Sequence, residues 1–160
     1  MKNPYTTFIA MIATSIVAMF VMTYLNSWEW SHVFWSESRA YMVLYMGAIM
    51  AVIMLLFMLG MYTDNNMNMA IIAGAIIVFG SSLALMRSQA TIEDQAWMKA
   101  MIPHHSIAIL TSSRAKISDP RVRKLADEII EAQKREIAEM KALIADLNGG
   151  PKATPEIDGK

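Results

Sequence analysis

The chain has 160 residues, no cysteine and sixteen methionines, and its 14 basic and 14 acidic groups cancel. A hydrophobic content of 55% and a mean hydropathy of +0.34 are too high for one ordinary soluble globule. The missing thiol excludes disulfide scaffolds, thiolate zinc sites and thiol redox chemistry. The absence of net positive charge argues against nucleic acid as a partner.

The charges divide the chain. Residues 1–87 carry only Lys2, Arg39 and Arg87 against Glu29, Glu37 and Asp64, while residues 88–160 carry the other 11 basic and 11 acidic groups. Three charge-free apolar runs lie in the first part, at residues 5–25, 40–62 and 70–86. About 20 helical residues cross a hydrocarbon core roughly 30 Å thick, so residues 1–87 are expected to form a three-helix transmembrane anchor. The third run is short and is expected to borrow residues before it. The first run is too long for a signal peptide and has no clear small-x-small cleavage site, so it is read as a retained anchor.

Between the first two runs lie Trp28, Trp30, Phe34 and Trp35, rings that favour a membrane–water interface. This connection is read as an interfacial segment, with His32 as an interfacial residue. Residues 63–69 are a short link, so the second and third helices should form an antiparallel hairpin. Lys and Arg are too few to orient the anchor by charge.

From residue 88 the pattern is that of soluble helix. Thr91 can cap a helix whose first turn holds Glu93 and Asp94. Asp119-Pro120 supplies a cap and a first-turn proline for a second helix, which Asn148-Gly149-Gly150-Pro151 stops. Residues 88–147 are thus a soluble helical hairpin too small to bury a full core alone. Residues 148–160 are read as a disordered tail.

The first soluble helix places Met98, Met101 and His105 in one stripe, with Trp97, His104 and Ala108 in the adjoining row. Pro103 should kink it just before His104. In the second helix Val122, Leu125, Ala126, Ile129, Ile137, Met140, Ile144 and Leu147 form an apolar face that also contains Gln133 and Glu136. Polar groups on a buried face need partners. Folding the hairpin near Ser118 sets Met98 against Met140, Met101 against Glu136, and His104 or His105 against Gln133.

Thioether sulfur selects soft ions such as Cu(I), and imidazole accommodates copper in either state. The six residues His104, His105, Met101, Met98, Met140 and Glu136 are therefore the candidate metal ligands. A di-iron carboxylate bundle would need Glu-x-x-His pairs and a zinc protease His-Glu-x-x-His, and neither motif is present. No enzymatic activity is expected. In the membrane part Met42, Met46, Met50, Met54 and Met58 recur every four residues, a ridge that winds around its helix. Methionine there is read as an apolar membrane residue in place of leucine, the alternative being a ladder of thioethers that relays Cu(I).

The run Trp97-Met98-Lys99-Ala100-Met101-Ile102-Pro103-His104-His105-Ser106-Ile107-Ala108, with Asp119-Pro120-Arg121-Val122 and the helix over residues 126–140, resembles the bacterial domain of unknown function family 305. The resemblance covers about residues 90–147. It implies an all-α, ferritin-like hairpin lying outside the cytoplasm, with copper or silver as the bound ion. It also implies Met101, His104, His105 and Met140 as ligands, with Met98 and Glu136 beside them. Many members carry two hairpins, so a single hairpin behind three membrane helices is expected to complete its bundle as a homo-oligomer.

The function expected is envelope copper sequestration, tolerance or hand-over, with Cu(I) favoured and silver possible. The partners are membrane lipid, further copies of the chain and a copper-handling protein. The expected location is the bacterial inner membrane, with the N-terminus cytoplasmic and the hairpin periplasmic. The alternatives are a structural or accessory subunit whose His-His helix forms an interface without metal, and a metal-dependent enzyme.

Overall fold

Long charge-free runs of Ile, Leu, Met, Ala and Val satisfy their backbone only within themselves when water is absent, and so become helices. In the computed structural model, which describes residues 3–153, these are α1 (Pro4–Met22), α2 (Glu37–Phe57) and α3 (Asn65–Ser88). Two amphipathic helices follow, α4 (Asp94–Arg114) and α5 (Pro120–Leu147). A single 3-10 turn, Trp30–His32, interrupts the link between α1 and α2. The described residues contain no strand, and the protein is all-α.

The chain divides into two units. The first comprises residues 1–23 and 37–92, the second residues 24–36 and 93–160. In the first, α1, α2 and α3 have 19, 21 and 24 residues and mean hydropathies of 1.9, 2.3 and 2.3, long and apolar enough to cross a membrane. The third helix does take residues before its apolar run, beginning at Asn65 where Asp64 accepts the amides of Asn66 and Met67. α2 packs against both neighbours, and Tyr5, Phe8, Ala51, Leu55 and Tyr62 form the core. The Tyr5 hydroxyl donates to Asn68 Oδ1 at 3.0 Å and accepts the Asp64 amide at 3.0 Å, while Asn68 Nδ2 donates to the Tyr62 carbonyl at 2.7 Å. The polar groups at this end of the unit are therefore mutually satisfied. α1 crosses α2 where Gly47 leaves room for the Ile16 side chain, which a Cβ at that position would overlap.

The methionine ridge turns as its spacing requires. Met46 is exposed, while Met54 and Met58 pack against the core.

In the second unit α4 and α5 pack antiparallel around Met98, Ile102, Ile109, Ile137 and Met140. Asp119 accepts the Arg121 amide at 2.8 Å and Pro120 opens α5, the start expected from sequence. Gly149, at φ +83°, takes the left-handed conformation that lets the chain turn away after α5. α4 starts differently from expectation. Its N-cap is Glu93, with no side-chain cap bond, and Thr91 instead pairs with the Tyr41 hydroxyl at 2.8 Å. The expected tail lies partly outside the described residues, which end at 153.

The aromatic link between α1 and α2 clusters with the hairpin. Phe34 packs on the hairpin core, and His32 and Ser36 are buried. Trp30 remains 83% exposed. His32, expected to be an interfacial residue, is instead an interior one, while Trp28 and Trp35 are exposed along with Trp30.

Candidate metal site

At 100° per residue, adjacent side chains on a helix diverge. His104 and His105 accordingly separate, with ring centroids 6.2 Å apart and planes tilted by 59°. His105 turns towards α5, where its side chain is 14% exposed and its Nδ1 lies 3.1 Å from Glu136 Oε2. His104 turns outward and is exposed.

Glu136 Oε2 also accepts a hydrogen bond from Gln133 Nε2 at 3.3 Å. The two polar residues on the apolar face of α5 are thus accounted for: Gln133 orients Glu136, and Glu136 meets His105. Sequence spacing places Glu136 opposite Met101, whereas the structure places it opposite His105, a shift of about one helical turn. Ridges that repeat every three to four residues allow registers one turn apart, so spacing alone does not separate them.

The His105–Glu136 approach is close but poorly aligned. Nδ1 is buried and makes no directed hydrogen bond, although the carboxylate oxygen stands 3.1 Å away. Burial lowers the His105 pKa, with His104 adding to the effect and Glu136 opposing it, so the imidazole is held towards its neutral, ligand-competent form.

The thioethers distribute differently. Met98 and Met140 both enter the hydrophobic core, and Met101 packs partly buried at its edge. The six candidate residues therefore fall into three groups: a buried Met98/Met140 pair, a His105–Glu136 pair, and the half-buried Met101 beside the exposed His104. Among the described residues no three of His, Asp and Glu converge as a metal-binding group.

Sequence reasoning missed one polar cluster on the other side of α4. Ser106 is fully buried; its Oγ accepts the Trp28 amide at 2.7 Å and lies 2.9 Å from His32 Nδ1. Lys141 Nζ donates to Ser31 Oγ at 3.1 Å, fastening the same segment to α5. Burial lowers the His32 pKa, reinforced by Lys141 and opposed by Glu29, whose Oε2 lies 3.7 Å from Nε2. The signal was present in the sequence: Ser106 is the one polar residue in the buried row Met98, Ile102, Ser106, Ile109.

An all-α chain with three apolar helices and a His-His hairpin now has a setting among known proteins. Residues 58–155 match the family described as Domain of unknown function (DUF305), and the chain belongs to that family. The match begins before α3, so it reaches well beyond the hairpin that the sequence motifs mark. Uncharacterized protein L153 of Acanthamoeba polyphaga mimivirus is 32% identical over 146 residues, covering 84% of this chain and 91% of the viral protein. Coverage of that breadth includes part of the apolar region. No solved structure matches the chain.

Proposed function

We propose that the protein is a membrane-anchored copper-binding protein of the cell envelope that takes up Cu(I), or silver, through the histidines and methionines of its hairpin for sequestration, tolerance or hand-over. The observation that carries this reading is the buried, undirected Nδ1 of His105 held 3.1 Å from Glu136. A buried nitrogen without a hydrogen bond costs about 1–3 kcal/mol unless something else uses its lone pair. Two donors on one ion, at bond lengths of about 2.0–2.2 Å, stand roughly 3 Å apart. Met98, Met101 and Met140 add soft sulfur nearby, and thioether does not titrate, so capture can operate in an oxidising compartment.

Membrane anchoring rests on α1, α2 and α3. Three crossings return the link 24–36 and the segment from residue 93 to the same side, and these are the two stretches that pack together in the second unit. The family resemblance supports the extracytoplasmic side for that unit, with the N-terminus cytoplasmic in a bacterial inner membrane. The chain acts as a binding protein rather than an enzyme, with lipid, further copies and a copper-handling protein as partners.

Anaerobic Cu(I) titration of the full chain against a competing chelator tests the reading. The wild type should bind at least 100-fold more tightly than a His104→Ala/His105→Ala double variant. Equal, weak binding by both overturns it and favours the accessory-subunit reading, in which the same helix serves as an interface without metal.

A further inference from the structure

One face of the hairpin is covered by its own chain, through Trp28, His32 and Phe34. The face that carries the His105–Glu136 contact is bare. On α4, Trp97, Met101, His104 and Ala108 follow each other at intervals of four, three and four residues, within a sector of about 60°. That is the spacing of a helix–helix seam. Trp97 is 50% exposed, and His104 is exposed with it. On α5 the neighbouring stripe leaves Leu125 56%, Ile129 36% and Leu147 54% exposed.

We propose that this face pairs with the same face of a second copy about a two-fold axis, and that Met101 and His104 of both copies together form a copper site. The inference rests on the copper reading above and names where Met101 and His104 act.

The seam is self-complementary. An antiparallel pairing that seats the bulky Trp97 against the partner's Ala108 brings Met101 level with the partner's His104, because each step is four residues. The two-fold repeats both contacts. Two thioethers and two imidazoles then meet around the axis, a soft donor set suited to Cu(I). The axis crosses α4 two to three residues before His105. The His105–Glu136 contact places the corresponding level of α5 two to three residues after Glu136. Ile129 and Leu147 stand nearly equidistant from that level on opposite sides, so each comes level with the other across the copies.

The apolar area fits this occupant. The exposed side chains amount to on the order of 400 Å², comparable to the largest apolar patch of a typical monomer, which is often functional, and about half of the roughly 800 Å² per partner of a standard interface. Their polar and small neighbours along two helices about 30 and 40 Å long can supply the rest. Among the described residues no three of His, Asp and Glu converge within one chain, whereas a pair of chains supplies two thioethers and two imidazoles.

The experiment uses the full chain in detergent, with mass determined by light scattering and Cu(I) counted by anaerobic competition titration. The wild type should be a dimer with a tight Cu(I) shared between two chains at the seam. Ala108→Trp sets tryptophan against tryptophan and should give a monomer with at least tenfold weaker Cu(I) binding, with helix content unchanged. The exchanged pair Trp97→Ala/Ala108→Trp restores large against small and should recover both the dimer and its affinity. Met101→Leu should keep the dimer and lose the tight site.

Wild-type affinity in an Ala108→Trp monomer overturns the shared site and leaves the copper reading standing. No rescue by the exchanged pair overturns the antiparallel register. A wild-type dimer that takes up no Cu(I) overturns the copper reading, and the shared site with it.

Discussion

Methionine is used in both units, to different ends. In the unit of the three apolar helices Met42, Met46, Met50, Met54 and Met58 wind around α2, so that Met46 is exposed while Met54 and Met58 pad the core. No histidine lies on α1, α2 or α3. In the hairpin unit only three methionines occur, two of them buried, on helices that also carry His104, His105 and Glu136. Abundance therefore tracks apolar helix length, and only in the hairpin does sulfur share its helices with imidazole.

That contrast can be broken at several points. The largest effect is expected at Ile102, which is wholly buried. Ile102→Ala should cost about 2–5 kcal/mol, enough to melt the hairpin while α1–α3 persist, and hydrogen exchange resolved by segment would show it. Equal loss of protection in both units would mean that they fold as one.

Ser106→Ala comes next. It strands the Trp28 amide and His32 Nδ1, at about 1–3 kcal/mol, and should speed exchange of the Trp28 amide before any amide of α5.

A smaller effect is expected from pH. His32 is held below its ordinary range, so the unfolded chain binds its proton more readily than the folded one. The stabilisation is fully present above about pH 6.5 and is lost as pH falls from there towards the lowered folded value. Hairpin stability in denaturant should decline over that window, and His32→Asn should remove the His32 share of the slope.

The smallest effect is assigned to Met50→Leu, below about 1.5 kcal/mol and with Cu(I) affinity unchanged. A loss of copper there would give the membrane ridge a role in handling metal.

Much of the fold could be read from the residues. Uninterrupted apolar runs admit only helix in lipid, and Asp119-Pro120 can hardly do anything but start one. The divergence of His104 and His105 also follows from helical geometry. Three things were not legible. The hairpin register slipped by a turn because the pattern repeats at about that interval, and the side-chain contact of His105 with Glu136 was needed to fix it. Thr91 failed as a cap because Tyr41, 50 residues away, claims its hydroxyl. Local capping rules take no account of such competition. The placement of His32 depended likewise on Ser106, a partner 74 residues distant.

The fastening of the α1–α2 link to α4 also sets an order in time. Trp28 emerges from the ribosome 78 residues before Ser106 does. At about 5–20 residues per second, that is a delay of roughly 4–16 s. For that period the link has neither its hydroxyl acceptor nor the helix it packs on. The second unit can close only after most of the chain has been made, so truncations within α4 or α5 should leave residues 24–36 open to protease even where α1–α3 have already formed.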